Sequence, residues 1–297
     1  MKVSIVTACY NAAATIEDTI RSVLDQEGVD LEYIVCDGGS NDGTADIIRG
    51  HESRLKWWVS ERDRGQVDAI NKGFTHATGD VLGFLNGDDM LVPGALKAVC
   101  AAFENRPEAD LAQGRVEWID FAGNPTGTHF GDIRNIEDAL DIFRVWWGNR
   151  QWVQPEVFYR RALKEHVGAF DERYHLAFDY DFWVRCFRAG ARVERLPETL
   201  VRFRRHDAQK SVDTARANDE IRTILARNLA DHPPIGTWTR RRLRADLDYD
   251  LYQSVDSRAS LGASLLRHPS WLLSAAVRQR IVASFTQRLR PPKPSAR

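Results

Sequence analysis

The chain of 297 residues has little cysteine, almost no net charge and no long apolar run. Its four cysteines lie far apart without a C-x-x-C pair, and Cys9 and Cys36 sit in apolar runs, as expected for small core residues in a reducing compartment. A formal net charge of −1 gives no reason to expect a nucleic-acid partner. No window approaches the roughly 18 uncharged apolar residues of a membrane span, so no spanning helix is predicted.

Two further absences narrow the class of enzyme. No G-x-G-x-x-G follows the first predicted strand, which argues against a dinucleotide-dependent oxidoreductase. The loop after that strand, ACYNAAAT, has neither the glycine nor the cation typical of a nucleotidyltransferase, so that class is a weaker alternative. The N-terminal MKVSIVTACYN is too short and too polar beyond Tyr10 for a signal peptide, and we expect a cytoplasmic protein.

The first hundred residues alternate strand-like and helix-like segments. Strands are predicted at KVSIVTAC, LEYIVCDG, LKWWVSE and DVLGFLNGDD, with helical spacing in the segments between and after them. This alternation indicates an α/β fold with a mainly parallel central sheet flanked by helices. Ligands bind at the carboxyl ends of the strands in such sheets. Carboxylates follow three of these strands, namely Asp37, Glu61, Asp63, Asp88 and Asp89.

The pattern changes beyond about residue 110. DLAQGRVEWID and GTHFGDI flank the turn AGNPTG, which is typical of an antiparallel hairpin. Helices are predicted over 135–145 and at FDYDFWVRCFRAG, and a last strand at ARVERLPETLVRFRRH. We predict a catalytic domain followed by a basic helical extension and a short disordered tail. The predicted bounds are 1–213 for the catalytic domain (1–109 nucleotide-binding half, 110–213 acceptor half), 214–290 for the extension and 291–297 for the tail.

The adjacent carboxylates Asp88 and Asp89 end the fourth predicted strand. They repel each other, so at a buried or half-buried strand end they need a cation. A solvated turn is the alternative, because Asp, Asn and Gly are common turn residues.

Five segments, in this order along the chain, resemble the family 2 glycosyltransferases of the GT-A fold: SIVTACYN, IVCDGGSNDGT, SERDRGQVDAINKG, ATGDVLGFLNGDD and AFDYDFWVRC. They fall within residues 3–205. The resemblance implies the GT-A (nucleotide-diphospho-sugar transferase) fold and an inverting hexosyltransferase of the bacterial cell-surface polysaccharide type. Such an enzyme moves a sugar from a nucleoside-diphosphate sugar, with a UDP-sugar as the expected donor, to an acceptor hydroxyl.

The resemblance also implies a set of donor-binding residues. Asp37 occupies the family's nucleotide-binding position, where its carboxylate would accept hydrogen bonds from the base or ribose. Gly38 stands where a second Asp often follows. The full set of donor-binding candidates is Thr7, Tyr10, Asn11, Asp37, Arg64, Asp68, Lys72, Asn86 and Asp88. Two alternatives stay open, since Tyr10 could be a core residue and the charged residues at 64, 68 and 72 could form a surface salt bridge.

A divalent cation, Mn²⁺ or Mg²⁺, is implied as the cofactor, because it would stabilise departure of the diphosphate. Asp89 is the expected direct ligand, with Asp88 contacting the sugar or a metal-bound water. His206, in FRRHDAQKS, is a further candidate ligand that the family's end motif suggests. In the same segment, Lys210 or Arg205 would neutralise diphosphate.

Inversion needs a carboxylate base on the acceptor side of the sugar. In AFDYDFW, Phe178 replaces the family's usual Glu and Asp179 occupies the base position. A helix N-cap is the alternative role for Asp179. A stacking face for an acceptor sugar or lipid headgroup is predicted at Trp146, Trp147 and Trp152, although large aromatic residues more often belong to the core.

From Pro233 onward the chain has twelve basic and four acidic residues, a net charge of +8. In WLLSAAVRQRIVASFTQRLR an apolar helical stripe is predicted, formed by Trp271, Ala275, Val282, Phe285 and Leu289. Such a helix would dock on anionic lipid at the inner face of the plasma membrane. It would otherwise pack on the catalytic domain or on a second copy of the chain.

The acceptor is expected to be a lipid-linked or cell-surface glycan, and no nucleic acid is expected as a partner. A nucleotide-sugar-binding protein with a degenerate, non-catalytic site is the alternative function. It stays open because Gly38, Asn86 and Phe178 depart from the family pattern.

Overall fold

The computed structural model describes residues 1–206, 209–210, 213–231, 233–255, 265, 268–274, 277–278 and 281. The predicted tail at 291–297 and most of the predicted helical stripe therefore lie outside the described residues. Of that stripe only Trp271 is described. It lies in a 3-10 helix, Pro269–Leu273, and is buried with its ring 5.4 Å from that of Tyr249.

The first half of the chain alternates strands and helices as predicted. Each helix buries one apolar side; in the first of them, Ile16, Ile20 and Val23 are buried at the spacing of one helical face. The elements are β1 (Lys2–Cys9), α1 (Ile16–Leu24), β2 (Asp30–Asp37), α2 (Thr44–Gly50), β3 (Trp57–Ser60), α3 (Gln66–Phe74), β4 (Val81–Asn86), β5 (Met90–Leu91) and α4 (Ala95–Asn105).

The second half begins with the predicted hairpin and ends with helices. The long last strand and the helix at FDYDFWVRCFR also form as predicted. The elements are β6 (Leu111–Ile119), β7 (Pro125–His129), α5 (Ile136–Leu140), β8 (Val157–Arg160), α6 (Arg161–Val167), α7 (Phe178–Arg188), β9 (Val193–Arg204), α8 (Thr214–Ala230) and α9 (Thr237–Val255).

One sheet runs through both halves, in the order β3-β2-β1-β4-β8-β6-β9-β5, with β7 added beside β6. Strands β3, β2, β1 and β4 are parallel, and the strands beyond β4 are mixed in direction. In the parallel part, Cys9 pairs with Asp37 and Ala8 with Asn86. The carboxyl ends of β1, β2 and β4 therefore meet at one edge, as the alternating pattern predicts.

Apolar side chains fill both faces of this sheet. One cluster packs α1 and α4 against the sheet through residues such as Ile20, Leu96 and Val99. The other packs α3, α5, α7, α8 and α9 on the opposite face and contains the rings of Trp152, Tyr180 and Trp183. Helices on both faces of an α/β sheet confirm the predicted fold class.

Two predicted helices are shorter than their patterns suggest. The segment GQVDAINKGFTHATG has helical spacing and a glycine at its end, which predicts a helix that stops at Gly79, but α3 ends at Phe74. A Cβ at Gly79 would lie 2.6 Å from the backbone nitrogen of Ser4, so this glycine permits a close approach to β1 instead of ending a helix. The helix predicted over 135–145 covers only Ile136–Leu140.

Two features of the described residues concern membrane-spanning helices and cysteines. No helix there is both long and apolar enough to cross a membrane. All four cysteines are buried as free thiols, as their positions in apolar runs predicted for Cys9 and Cys36.

Candidate active site

A cavity of about 1250 Å³ opens at the carboxyl ends of β1, β2 and β4. The loops after these strands form one wall, with Asn11, Gly39 and Asp88 among the lining residues. Other lining residues come from the second half of the chain, among them Gln154, Asp179 and His206. Residues far apart in sequence thus face one space large enough for a nucleotide and a sugar.

The loop after β1 forms the rim of this cavity. Tyr10 is 65% exposed, so it is not a core residue, and its ring is accessible for stacking on a ligand. Asn11 has a φ of 49°, a left-handed conformation that Asn tolerates better than most residues. Its backbone N–H donates to Ser40 Oγ at 2.7 Å, and its Oδ1 accepts from Asn41 N at 3.1 Å. These bonds fasten the first loop to the second.

Asp37 lies at the end of β2 but is buried and does not line the cavity. Its Oδ2 accepts from Ser60 Oγ at 2.6 Å and from Ser40 N at 3.1 Å, and its Oδ1 accepts from Ser40 Oγ. The carboxylate thereby holds the glycine-rich loop in shape beside the cavity.

Asp63 is the carboxylate that faces the cavity beside this loop. Its Oδ1 accepts from Gly65 N at 2.8 Å, and a Cβ at Gly38 would lie 2.8 Å from its Oδ2. The missing side chain at position 38 is what makes room for this carboxylate. Sequence reasoning noted Asp63 only as one acid of the sheet edge, although the glycine at 38 was a usable signal.

The adjacent aspartates at the end of β4 have opposite surroundings. Asp88 lines the cavity, and its Oδ2 lies 3.1 Å from His206 Nε2. Asp89 is fully buried, and its carboxylate accepts from Arg204 N and from Asn86 Nδ2, each at 3.1 Å. Burial, and then the charge of Asp88, raise the pKa of Asp89 well above its usual range. Of the two aspartates, Asp88 is the one that is open to the cavity in this structure.

The pair formed by Asp88 and His206 offers one carboxylate oxygen and one imidazole nitrogen to the cavity. Cations of the Mg²⁺ and Mn²⁺ type commonly bind one or two protein ligands and complete their shell with phosphate oxygens and water. The two residues fit such an ion, whose other ligands would come from a diphosphate. Within the described residues no group of three acidic, histidine or cysteine side chains is clustered to hold a metal alone.

Asp179 also lines the cavity, from the first turn of α7, and is partly buried. It is not the N-cap, because that position belongs to Ala177. Burial raises the pKa of Asp179 to about 6, against the smaller lowering effect of a hydrogen bond from Tyr180 N at 2.7 Å. A carboxylate with this pKa accepts a proton near neutral pH.

Two further polar residues, Lys210 and Gln66, line the same cavity. Lys210 lines the cavity, and its Nζ lies 3.3 Å from Gln66 Oε1. Gln66 donates in turn to Asn86 Oδ1 at 2.6 Å, and both side chains line the cavity. Asn86 thus lies where the sequence predicted it. Gln66 carried no distinguishing sequence signal.

Four other donor-binding candidates do not reach the cavity. Thr7 is fully buried inside β1, where its hydroxyl accepts from Tyr33 OH at 3.0 Å. Arg64 pairs with Asp68 at 2.7 Å, and Lys72 pairs with the Glu61 carboxylate at 2.6 Å. The last three therefore form ion pairs, as in the alternative interpretation.

Only one of the three predicted acceptor tryptophans lines the cavity. Trp152 lines the cavity, although only 1% of it is exposed and it packs against Trp183. Trp146 packs edge-on against Tyr180, and Trp147 lies under the guanidinium of Arg222. Neither of the latter two lines the cavity, so only Trp152 remains a candidate contact for a ligand.

Comparison with protein families finds that the model described as "Glycosyl transferase family 2" matches residues 4–168. A "PGL/p-HBAD biosynthesis glycosyltransferase" of Mycobacterium bovis is 33% identical over 203 residues, which cover 67% of this chain and 74% of that protein.

Two solved structures are similar in fold. The S. aureus TarS fragment 1-349 in complex with UDP-GlcNAc has a TM-score of 0.65 at 16% identity, with 91% of this chain and 78% of that chain covered. The mannosyltransferase PcManGT from Pyrobaculum calidifontis, in complex with GDP-Man and Mn²⁺, has a TM-score of 0.59 at 18% identity, with 93% and 82% covered.

Proposed function

Because this chain is a glycosyltransferase of family 2 with the GT-A fold, we propose that it transfers a hexosyl group from a nucleoside-diphosphate sugar to an acceptor hydroxyl with inversion. The observation that carries the proposal is one cavity lined both by the pair Asp88 and His206, 3.1 Å apart, and by Asp179 from a separate helix. Inversion requires the base and the leaving group to act on opposite faces of the sugar, and these two separate groups of side chains would supply the two functions.

The nucleotide half of the cavity would bind the base and ribose. Asp63 faces the cavity and can accept an N–H of the base, and Tyr10 offers an exposed ring to stack on it. A UDP-sugar is the proposed donor, supported by the similar TarS structure in complex with UDP-GlcNAc, and a single carboxylate acceptor suits the single ring N–H of a pyrimidine base such as uracil. The backbone of Gly39 and the side chain of Asn11 lie beside these groups.

Asp88 and His206 would hold Mn²⁺ or Mg²⁺ together with the diphosphate. Such a cation supplies charge neutralisation to the leaving nucleoside diphosphate. Lys210, whose Nζ contacts Gln66, would place a second positive charge near the diphosphate oxygens.

Asp179 would take the proton of the acceptor hydroxyl as that oxygen attacks the anomeric carbon. Its pKa of about 6 means that it is largely ionised at neutral pH and still basic enough to accept the proton. Trp152, close to the same wall, would border the sugar.

A lipid-linked or cell-surface glycan is the proposed acceptor, with peripheral contact of the basic extension to the inner face of an anionic membrane. Support for the membrane contact is the net charge of +8 from Pro233 onward and Trp238, which is 59% exposed at the start of α9. Cosedimentation of the full chain with vesicles tests it. Binding to phosphatidylglycerol vesicles but not to neutral ones is expected, and equal or no binding to both would contradict it.

The experiment for the catalytic proposal measures nucleotide release from UDP-, GDP- and dTDP-sugars with and without Mn²⁺. Wild type, Asp88→Asn, Asp179→Asn and the exposed-surface control Asp46→Asn are compared. We expect release from one donor by wild type and the control, lost in the other two variants. Nucleotide binding without release, with or without candidate acceptors, would favour a non-catalytic sugar-nucleotide-binding protein instead.

A further inference from the structure

Helix α8 carries a carboxylate that is turned toward the segment just before α7. The Oε1 of Glu220 accepts from His175 N at 3.1 Å, and its Oε2 accepts from Leu176 N at 2.8 Å and Ala177 N at 2.9 Å. Three consecutive backbone N–H groups thus share one carboxylate, which is itself mostly buried, with 13% of its side chain exposed.

One of these three N–H groups belongs to the N-cap of α7, Ala177, and the other two belong to the residues just before it. The first N–H groups of a helix have no partner within the helix and need one from outside. The N-cap of α7, Ala177, has no oxygen in its side chain. A negative charge at this end of a helix is also favourable for the helix dipole. Glu220 therefore fixes the start of α7 from a different helix.

A second contact holds the same two helices together. Asp181, fully buried in the first turn of α7, accepts from Arg227 of α8 and from Arg185 Nε at 2.8 Å. Arg227 also lies 3.7 Å from the carboxylate of Asp171, in the segment that leads into α7. The first turn of α7 is thus attached to α8 both before and after Asp179.

We propose that Glu220 is a positioning residue for the reaction, holding the segment 175–177 so that the Asp179 carboxylate faces the acceptor side of the cavity. The inference rests on the proposed function of Asp179 as the base. It also gives α8 a role in positioning the base. Helix α8 lies beyond the matched residues 4–168, and the sequence predicted it only as part of the basic extension.

Position matters here because proton transfer requires the base within hydrogen-bond reach of the hydroxyl. A displacement of about 1 Å at a reacting group can cost roughly 100-fold in rate. The charges around Asp179 matter as well, because Glu220 and Lys210 both shift the pKa of its carboxyl. Lys210 lowers the pKa of Asp179 and Glu220 raises it, both less strongly than burial does.

The test compares Glu220→Gln with the control Asp219→Asn, which neutralises the neighbouring acid on the exposed side of α8. The amide of Gln can accept only part of the three bonds, and its NH₂ group repels the remaining N–H. We expect kcat to fall about 10- to 100-fold, with the donor KM within about two-fold of wild type. The acid limb of the pH profile of kcat/KM moves to lower pH, because a negative charge beside Asp179 is lost.

Glu220→Asp separates geometry from charge. It keeps the charge but shortens the side chain by one methylene, so kcat should fall while the acid limb stays near pH 6. If the Gln variant does not fold, this variant decides alone. Wild-type kcat in Glu220→Asp, or in a folded Glu220→Gln, would overturn the inference, as would an equal loss of kcat and donor affinity.

Asp179→Asn, measured beside these variants, distinguishes a failure of the proposed base role of Asp179 from a failure of the positioning role of Glu220. If Asp179→Asn is fully active, Asp179 is not the base, and the positioning role of Glu220 fails as well. An inactive Asp179→Asn beside a Glu220→Gln with wild-type kcat and an unmoved acid limb removes only the role of Glu220.

Discussion

Asp179→Asn should make the protein inactive and, at neutral pH, more stable. Burial raises the pKa of Asp179 from 3.8 to about 6, so the folded state disfavours its ionised form. A shift of about two units corresponds to about 3 kcal/mol. Because the side chain is partly exposed at the cavity wall, solvent screening reduces this cost to about 1–2 kcal/mol.

The sign follows from linkage between protonation and folding. A group with a raised folded pKa contributes its full stability below its unfolded pKa and loses it as the pH rises through the folded value. For Asp179 that window runs from about pH 4 to about pH 6. Asn is neutral at every pH, and its Oδ1 can still accept the N–H of Tyr180. The variant should therefore unfold about 2–6 °C higher at pH 7 and at the same temperature as wild type at pH 4.

Catalysis should change in the opposite direction. Loss of a general base costs about 10²- to 10⁴-fold in rate. In the wild type, kcat/KM should fall ten-fold per pH unit below about pH 6, because only the ionised carboxylate accepts a proton. Calorimetry from pH 4 to 8 and initial rates over the same range provide the measurements. The reasoning is refuted if Asp179→Asn retains more than about a tenth of the activity, or if it melts below wild type at pH 7.

Three further predictions concern the sheet edge. Asp88→Asn and His206→Ala should each raise the Mn²⁺ concentration needed for half-maximal rate at least ten-fold, and an unchanged Mn²⁺ titration would argue against both as ligands. Asp89→Ala should lower the free energy of unfolding by about 1–3 kcal/mol in urea melts, because it leaves the buried N–H of Arg204 without its acceptor and removes a bond to Asn86. A wild-type melt with altered Mn²⁺ dependence would instead indicate Asp89 as the metal ligand. Gly38→Asp should weaken nucleoside-diphosphate binding in calorimetry because its Cβ would lie 2.8 Å from an Asp63 oxygen, and unchanged binding would argue against Asp63 as a nucleotide contact.

The arrangement of the parallel half of the fold could be predicted from the sequence. Runs of apolar residues alternating with helical spacing require a sheet covered on both faces, and that topology brings the ends of β1, β2 and β4 together. The motif positions alone therefore assign Asp37, Asn86 and Asp88 to one edge. The hairpin of β6 and β7 was also predictable, because alternation with period two survives in a hairpin, whereas the short strand β8 was not predicted.

What each side chain faces at that edge could not be predicted from the sequence. Asp88 and Asp89 are neighbours of identical chemistry, and only the path of β9 decides that the second is buried beneath Arg204 N while the first meets His206. Asp37 fits the pattern of a nucleotide ligand, yet the hydroxyls of Ser40 and Ser60 occupy its carboxylate. Such choices depend on which partners lie within about 3 Å, and those partners come from distant segments.

Periodicity and motif order are local properties of the chain, and they are enough to identify the family, the α/β class and the candidate acids. Long-range packing is needed to establish which acids reach the cavity, that the carboxylate of Asp63 fills the space left by Gly38, and that Glu220 supports the helix of Asp179. The physical reason is that burial and hydrogen bonding set the chemistry of a carboxylate, and both arise from contacts across dozens of residues.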